Sequence, residues 1–127
     1  MQRLRVLPRL FVLEHLAGTR MPADDSWMAV VRAPEGLTVI REAPTDADGE
    51  HWVALYGGET AHAVDVPGML AALLTPLASA GIPVFVASTF HADLVLVPRE
   101  RKADAVRALK SAGHQVKDDS SSEPEDG

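Results

Sequence analysis

The chain has 127 residues, 46% of them hydrophobic, enough for one compact unit or two small ones sharing a core. A formal net charge of −6 argues against a nucleic-acid binder, which needs a basic face, and no run of Lys and Arg offers a phosphate groove. Cysteine is absent, which removes a disulfide framework, a thiolate nucleophile and a Cys-based zinc site, and no stretch approaches the roughly 20 apolar residues of a membrane span.

Arg3, Arg5 and Arg9 precede apolar residues as in a signal peptide, but Pro8, Arg9 and Glu14 interrupt any apolar core, and the expected setting is cytoplasmic. Leu4 to Leu7 and Leu10 to Leu16 read as two strands separated by a kink at Pro8-Arg9. Ala17 to Ser26 has loop chemistry, with room for a helical turn capped by Asp24 or Asp25. Trp27 to Arg32 and Leu37 to Glu42 are a hairpin around Ala33-Pro34-Glu35-Gly36. Ala43 to Glu50 is an acidic turn, and His51 to Tyr56 alternates as a strand with Trp52, Ala54 and Tyr56 on one side.

Gly57-Gly58 is the sharpest punctuation and marks the boundary between an N-terminal half, 1–58, and a C-terminal unit, 59–117. Thr60 to Val66 reads as a strand. Met69, Leu70, Leu73, Leu74 and Leu77 then follow the helix period, predicting a helix from Gly68 to Ala80 that Pro76 strains and Gly81 stops. Ile82 to Ser88 is expected to be a strand buried on both faces, and Ala92 to Val97 another. Arg101 to Ala112 is an amphipathic helix with Ala105, Val106 and Leu109 inward, stopped by Gly113, and Gln115 to Lys117 adds a short strand. Asp118 to Gly127 has no large apolar residue and is expected to be a disordered acidic tail.

From Ala61 to Lys117 this order is βαββαβ, an α+β arrangement of the ferredoxin-like kind. Three motifs in it resemble the ACT domain family of small-molecule sensors. Asp65-Val66-Pro67-Gly68-Met69-Leu70 is similar to that family's Asp-x-Pro-Gly-x-Leu loop, and Gly81-Ile82-Pro83-Val84 to its Gly-Ile element. Ser88-Thr89-Phe90-His91-Ala92-Asp93 is similar to the Ser-Thr-Tyr-x-Thr-Asp segment of one subgroup, small bacterial proteins built from two ACT-like halves in tandem and similar to the CASTOR-type arginine sensors. The likeness extends more loosely over Arg5 to Tyr56. Phe90 and Ala92 depart from the usual Tyr and Thr, and Val66-Pro67 stiffens the loop.

The resemblance implies a non-enzymatic regulatory protein that binds an amino acid or similar metabolite and signals as a homodimer or through a protein partner. By position, it implies that Asp65 holds a ligand ammonium. The N–H groups of Val66, Gly68 and Met69 then take a carboxylate, and Ser88, Thr89 and Asp93 line the far wall. A zwitterion needs such N–H groups beside a carboxylate. The residues also admit a plainer reading, with Asp65 as a helix cap, Ser88 and Thr89 as a strand-end turn and Asp93 as a turn carboxylate. A rival function is a dimerisation module with a vestigial pocket, favoured by Val66-Pro67 and Ala92. A third is a small enzyme or metal binder using His62, His91, Asp65 and Asp93. The five histidines lack the spacing of a zinc motif, so no metal, cofactor or catalytic residue is assigned. Trp27 is expected in the core, and Trp52 and Tyr56 in packing.

Overall fold

A computed structural model of the chain describes residues 2–18, 20–44, 49–57, 68–90 and 92–118. Among these, seven strands and two α-helices form a mixed α+β structure: β1 (Arg3–Leu16), β2 (Trp27–Ala33), β3 (Gly36–Glu42), β4 (Trp52–Gly57), α1 (Met69–Ser79), β5 (Phe85–Ser88), β6 (Asp93–Pro98), α2 (Lys102–Ser111) and β7 (Gln115–Asp118). All seven strands join one sheet in the order β2-β3-β1-β4-β6-β5, with β7 paired to β1.

The two strands expected around Pro8-Arg9 are one long strand, β1. Its pairing with β4 steps from Val6↔Leu55 to Leu10↔Val53, so the Leu7-Pro8-Arg9 stretch forms a bulge rather than a break. A proline without an N–H is tolerated at such an irregularity. Two extra residues preserve the alternation: Leu4, Val6 and Leu10 face one core cluster, and Leu7, Phe11 and Leu13 face the other. On its second side β1 pairs β7 in parallel over Arg3 to Val6, then β3 antiparallel over Phe11 to Leu16.

The β2–β3 hairpin forms as the sequence predicts. Gly36 is required there: its φ is +133°, and a Cβ would lie 2.3 Å from the Leu16 carbonyl oxygen. No helical turn forms between Ala17 and Ser26 among the described residues. Instead Arg41 of β3 binds Glu14 of β1 (2.9 Å) and Asp24 (2.6 Å) and Ser26 (3.1 Å) of the loop. Trp27, expected in the core, is only partly buried at the start of the edge strand β2.

The elements β4-α1-β5-β6-α2-β7 run in βαββαβ order. The strand predicted at Thr60 to Val66 lies outside the described residues, and β4 directly precedes them. β6 pairs antiparallel with both β4 and β5. The N-terminal β1 occupies the other side of β4, so β7 pairs with β1 rather than with β4.

Strand β5 corrects another expectation. It begins at Phe85, lies at the end of the strand order and is partly exposed. Pro83, lacking a donor, precedes it, while Ile82 packs into the core at 4% exposure outside the strand. Strands β4 and β6 are the ones buried on both faces, which their continuous apolar runs Val53-Ala54-Leu55 and Leu94-Val95-Leu96-Val97 explain. Val53, Leu55, Val95 and Val97 pack with Leu73 and Leu77 of α1 and Ala105 and Leu109 of α2. On the other face Ala54, Leu94 and Leu96 pack with Phe11 and Ile40. Ala29 of β2 and Phe85 and Ala87 of β5 join that second cluster, so the sheet curls until its two end strands share one core.

Both helices stop as their glycines predict. Gly81 (φ 73°) and Gly113 (φ 98°) are left-handed, and the N–H of the following residue returns to the helix, Ile82 to Leu77 and His114 to Leu109, each at 3.0 Å. The guanidinium of Arg101 adds donors to the Ala80 and Gly81 carbonyls. Asp118, assigned to the tail from sequence, belongs to β7: it pairs with Val6 in the ladder and its carboxylate lies 2.8 Å from Lys102 Nζ. Residues 119–127 lie outside the described set.

Candidate functional site at one end of the sheet

Register brings the C-terminal ends of β4 and β5 to the start of β6. Gly57 faces Asp93 on one side, and Ser88 faces Asp93 on the other. The Ser88 hydroxyl donates to Asp93 Oδ1 at 2.8 Å. By alternation this pair shares the face of Val86 and Val95, the helix side. The β5–β6 connection is closed by its own polar groups. Thr89 N–H donates to the Ala92 carbonyl (2.7 Å), and Ala92 N–H donates to Thr89 Oγ1 (2.9 Å). Phe90 stands at the tip, 75% exposed.

Helix α1 begins at the same end. Gly68 is left-handed (φ 84°) and, among the described residues, no side chain caps the helix; its first turn carries no acidic residue. The leading N–H groups of an α-helix have no partner within it, so Met69 opens an anion-receiving end. The Gln2 amide ties this end to the sheet by donating to the Met69 carbonyl at 2.7 Å. Gly57 lets the N-terminal strand come close: a Cβ there would lie 2.8 Å from Leu4 Cδ2.

Of the residues the sequence nominates, the structure joins Ser88, Thr89 and Asp93 in one turn, and sets Gly68 and Met69 at the helix start. Asp65 and Val66 lie outside the described residues, as do His62 and His91. Among the described residues no group of His, Cys, Asp or Glu is arranged to hold a metal ion, and no helix is long and apolar enough to cross a membrane. Gln2 was not legible as part of this end, since only the fold brings residues 2 and 69 together.

Among the described residues, the two carboxyls held below their usual range lie elsewhere. Asp24 is lowered by its hydrogen bond from Arg41, and Asp104 by hydrogen bonds from Arg107 and Arg101. Both are surface ion pairs rather than acid–base chemistry.

The family model of the ACT domain matches residues 49–111, from just before β4 to the end of α2. The match supports the ACT-domain family for this stretch and takes β4 as its opening strand. Two solved structures share the fold. A crystal structure of an Agobacterium tumefaciens protein superposes with a TM-score of 0.79 at 24% identity, covering 93% of each chain. A Vibrio cholerae protein of unknown function, described as a possible transport protein, superposes with a TM-score of 0.69 at 23% identity, covering 84% of this chain and 85% of its own. At such identities the likeness concerns the fold alone.

Proposed function

We propose that the chain is a non-enzymatic ACT-type regulatory protein of the cytoplasm, with two ACT-like halves in tandem. It binds an amino acid or similar small metabolite and signals through contacts with a second copy or a partner protein. ACT domains are in general regulatory modules that bind small molecules, and the family match supports that class. The observation that carries the reading is the Asp93 carboxylate, paired with Ser88 at the end of the sheet where α1 starts, a start that no side chain caps among the described residues. A carboxylate for an ammonium and helix N–H groups for a carboxylate are the two halves of zwitterion recognition. Asp65 and Val66 complete the site in this reading, with Gly68 and Met69.

The test is calorimetric titration of the full chain with the standard amino acids. One of them binds, and Asp93→Ala and Asp65→Ala each weaken it about ten- to a hundred-fold, the loss of a charge-assisted hydrogen bond of roughly 1.5–3 kcal/mol. Melting curves of both variants stay close to the parent. Lowered melting temperatures with unchanged affinity assign these carboxylates to the turn alone.

A second reading, a dimerisation module with a vestigial pocket, is favoured by one observation. The Thr89 hydroxyl is engaged with Ala92 within its own turn. No binding by any amino acid, together with a stable dimer, selects it.

A further inference from the structure

We propose that the face of the sheet opposite the helices carries a second binding site, for an anionic amphiphile: a monocarboxylate whose aliphatic tail enters the cavity between β2 and β5 while its head rests against Arg5. The cavity borders the turn of the zwitterion site, since Ser88 and Thr89 also line it. The Ser88–Asp93 pair itself lies on the helix side of the sheet, and the inference does not rest on the zwitterion reading.

The cavity follows from the curl of the sheet. Where the end strands β2 and β5 approach, a space of about 410 Å³ opens, within the roughly 300–1,000 Å³ range of small-molecule sites. Leu7, Met28, Ala29, Ala87 and Leu94 make its apolar walls, and Ser88 and Thr89 line it at the end of β5. Small residues at 29 and 87 leave the volume that larger strand residues would fill. The Ala29 and Ala87 side chains also join the cluster of Phe11 and Leu96, so the space continues from a packed core.

Polar chemistry sits at one rim. Arg5 and Tyr56 both line the cavity and are paired in the β1–β4 ladder, with the guanidinium carbon 5.9 Å from the Tyr56 ring centroid. At that distance a ring face holds a guanidinium in place. Arg5 also lines an adjoining hollow of about 260 Å³ with Arg3 and Lys117. Arg5 and Lys117 face each other in register on adjacent strands, and Arg3 lies two residues along on the same face. In a chain of net charge −6 this basic shelf beside an apolar cavity is a local reversal of sign. A charged head with an apolar tail complements both parts at once. A free amino acid lacks the tail, and a neutral lipid lacks the head.

The test uses the full chain and decanoate, with decanol as the tail without charge and acetate as the charge without tail. Calorimetry should give saturable binding of one decanoate per chain, at least about tenfold weaker binding of decanol, and none of acetate. Methyl NMR signals of Leu7, Met28 and Leu94 should shift on titration. Arg5→Gln should weaken decanoate at least about tenfold, and Lys117→Glu, at an exposed position, should weaken it several-fold if the first variant folds poorly. The proposal is overturned if decanoate does not bind, if decanol binds equally well, if the shifts fall on other methyls, or if both folded variants keep the parent affinity.

Discussion

Pro76 and His114 are far apart in sequence and act as one unit. A proline inside a helix has no N–H for the carbonyl four residues earlier, here that of Ala72 in α1. The His114 ring fills the gap, with Nε2 3.0 Å from the Ala72 oxygen. Its tautomer follows from the other side: the Gln2 N–H donates to Nδ1 at 3.0 Å, so Nε2 carries the proton and donates. At 6% exposure the ring ties the first strand, α1 and the start of β7 together. Replacing it leaves the buried Gln2 N–H without this acceptor and the part-buried Ala72 carbonyl without this donor, so His114→Ala should cost about 1–3 kcal/mol. In a Pro76→Ala background residue 76 regains an N–H for Ala72, and the same change should cost less by at least about 0.5 kcal/mol. Denaturant melts of the four proteins measure the coupling; additive losses would show that His114 does not replace the missing helix donor.

Local chemistry made several elements legible and hid others. Gly81 and Gly113 announced both helix ends, and Ala33-Pro34-Glu35-Gly36 announced the hairpin, because each turn depends on residues close in sequence. The apolar periods of α1 and α2 were equally plain. Pro8 misled because its effect depends on what β1 pairs with: between β4 and solvent-facing irregularity it makes a bulge, not an end. Ile82 misled because a buried residue before a proline resembles strand. At the candidate site the turn Ser88 to Asp93 was readable from its motif, whereas Gln2 beside Met69 and Arg5 beside Tyr56 are products of pairing across the sheet. The loop of Asp24 and Ser26 likewise had no signal for its partner, Arg41. That clamp gives an acid-range prediction. The Asp24 pKa is lowered below 3.8 by the Arg41 hydrogen bond. A lowered folded pKa means the contribution is present above the ordinary carboxylate value and is lost as pH falls through the folded one. Asp24→Asn should therefore melt lower than the parent near neutral pH, and the gap should close as the solution is acidified past that range. A gap independent of pH would remove Asp24 from the clamp.

At the scale of the whole molecule, one sheet serves two cores. Strands β4 and β6 are buried on both faces, and the curl protects the second cluster without a second layer of helices. The curl leaves two end strands with unequal edges. Strand β5 has four residues and follows Pro83, which makes it a poor template for a further strand. Strand β2 has seven, and it exposes Met28 (41%) and Val31 (51%). Under the proposed regulatory reading the module needs a surface for its output, and β2 is the edge on which a second copy would gain main-chain hydrogen bonds together with apolar contacts. The expected state is a homodimer joined through β2. Light scattering across a concentration series should give twice the chain mass, and Val31→Lys, which puts a charge on the pairing edge, should shift that series toward the monomer at unchanged melting temperature of the monomeric fold. A monomer mass at every concentration would sink the dimer, while a dimer indifferent to Val31→Lys would move the interface away from β2 to another face of the fold.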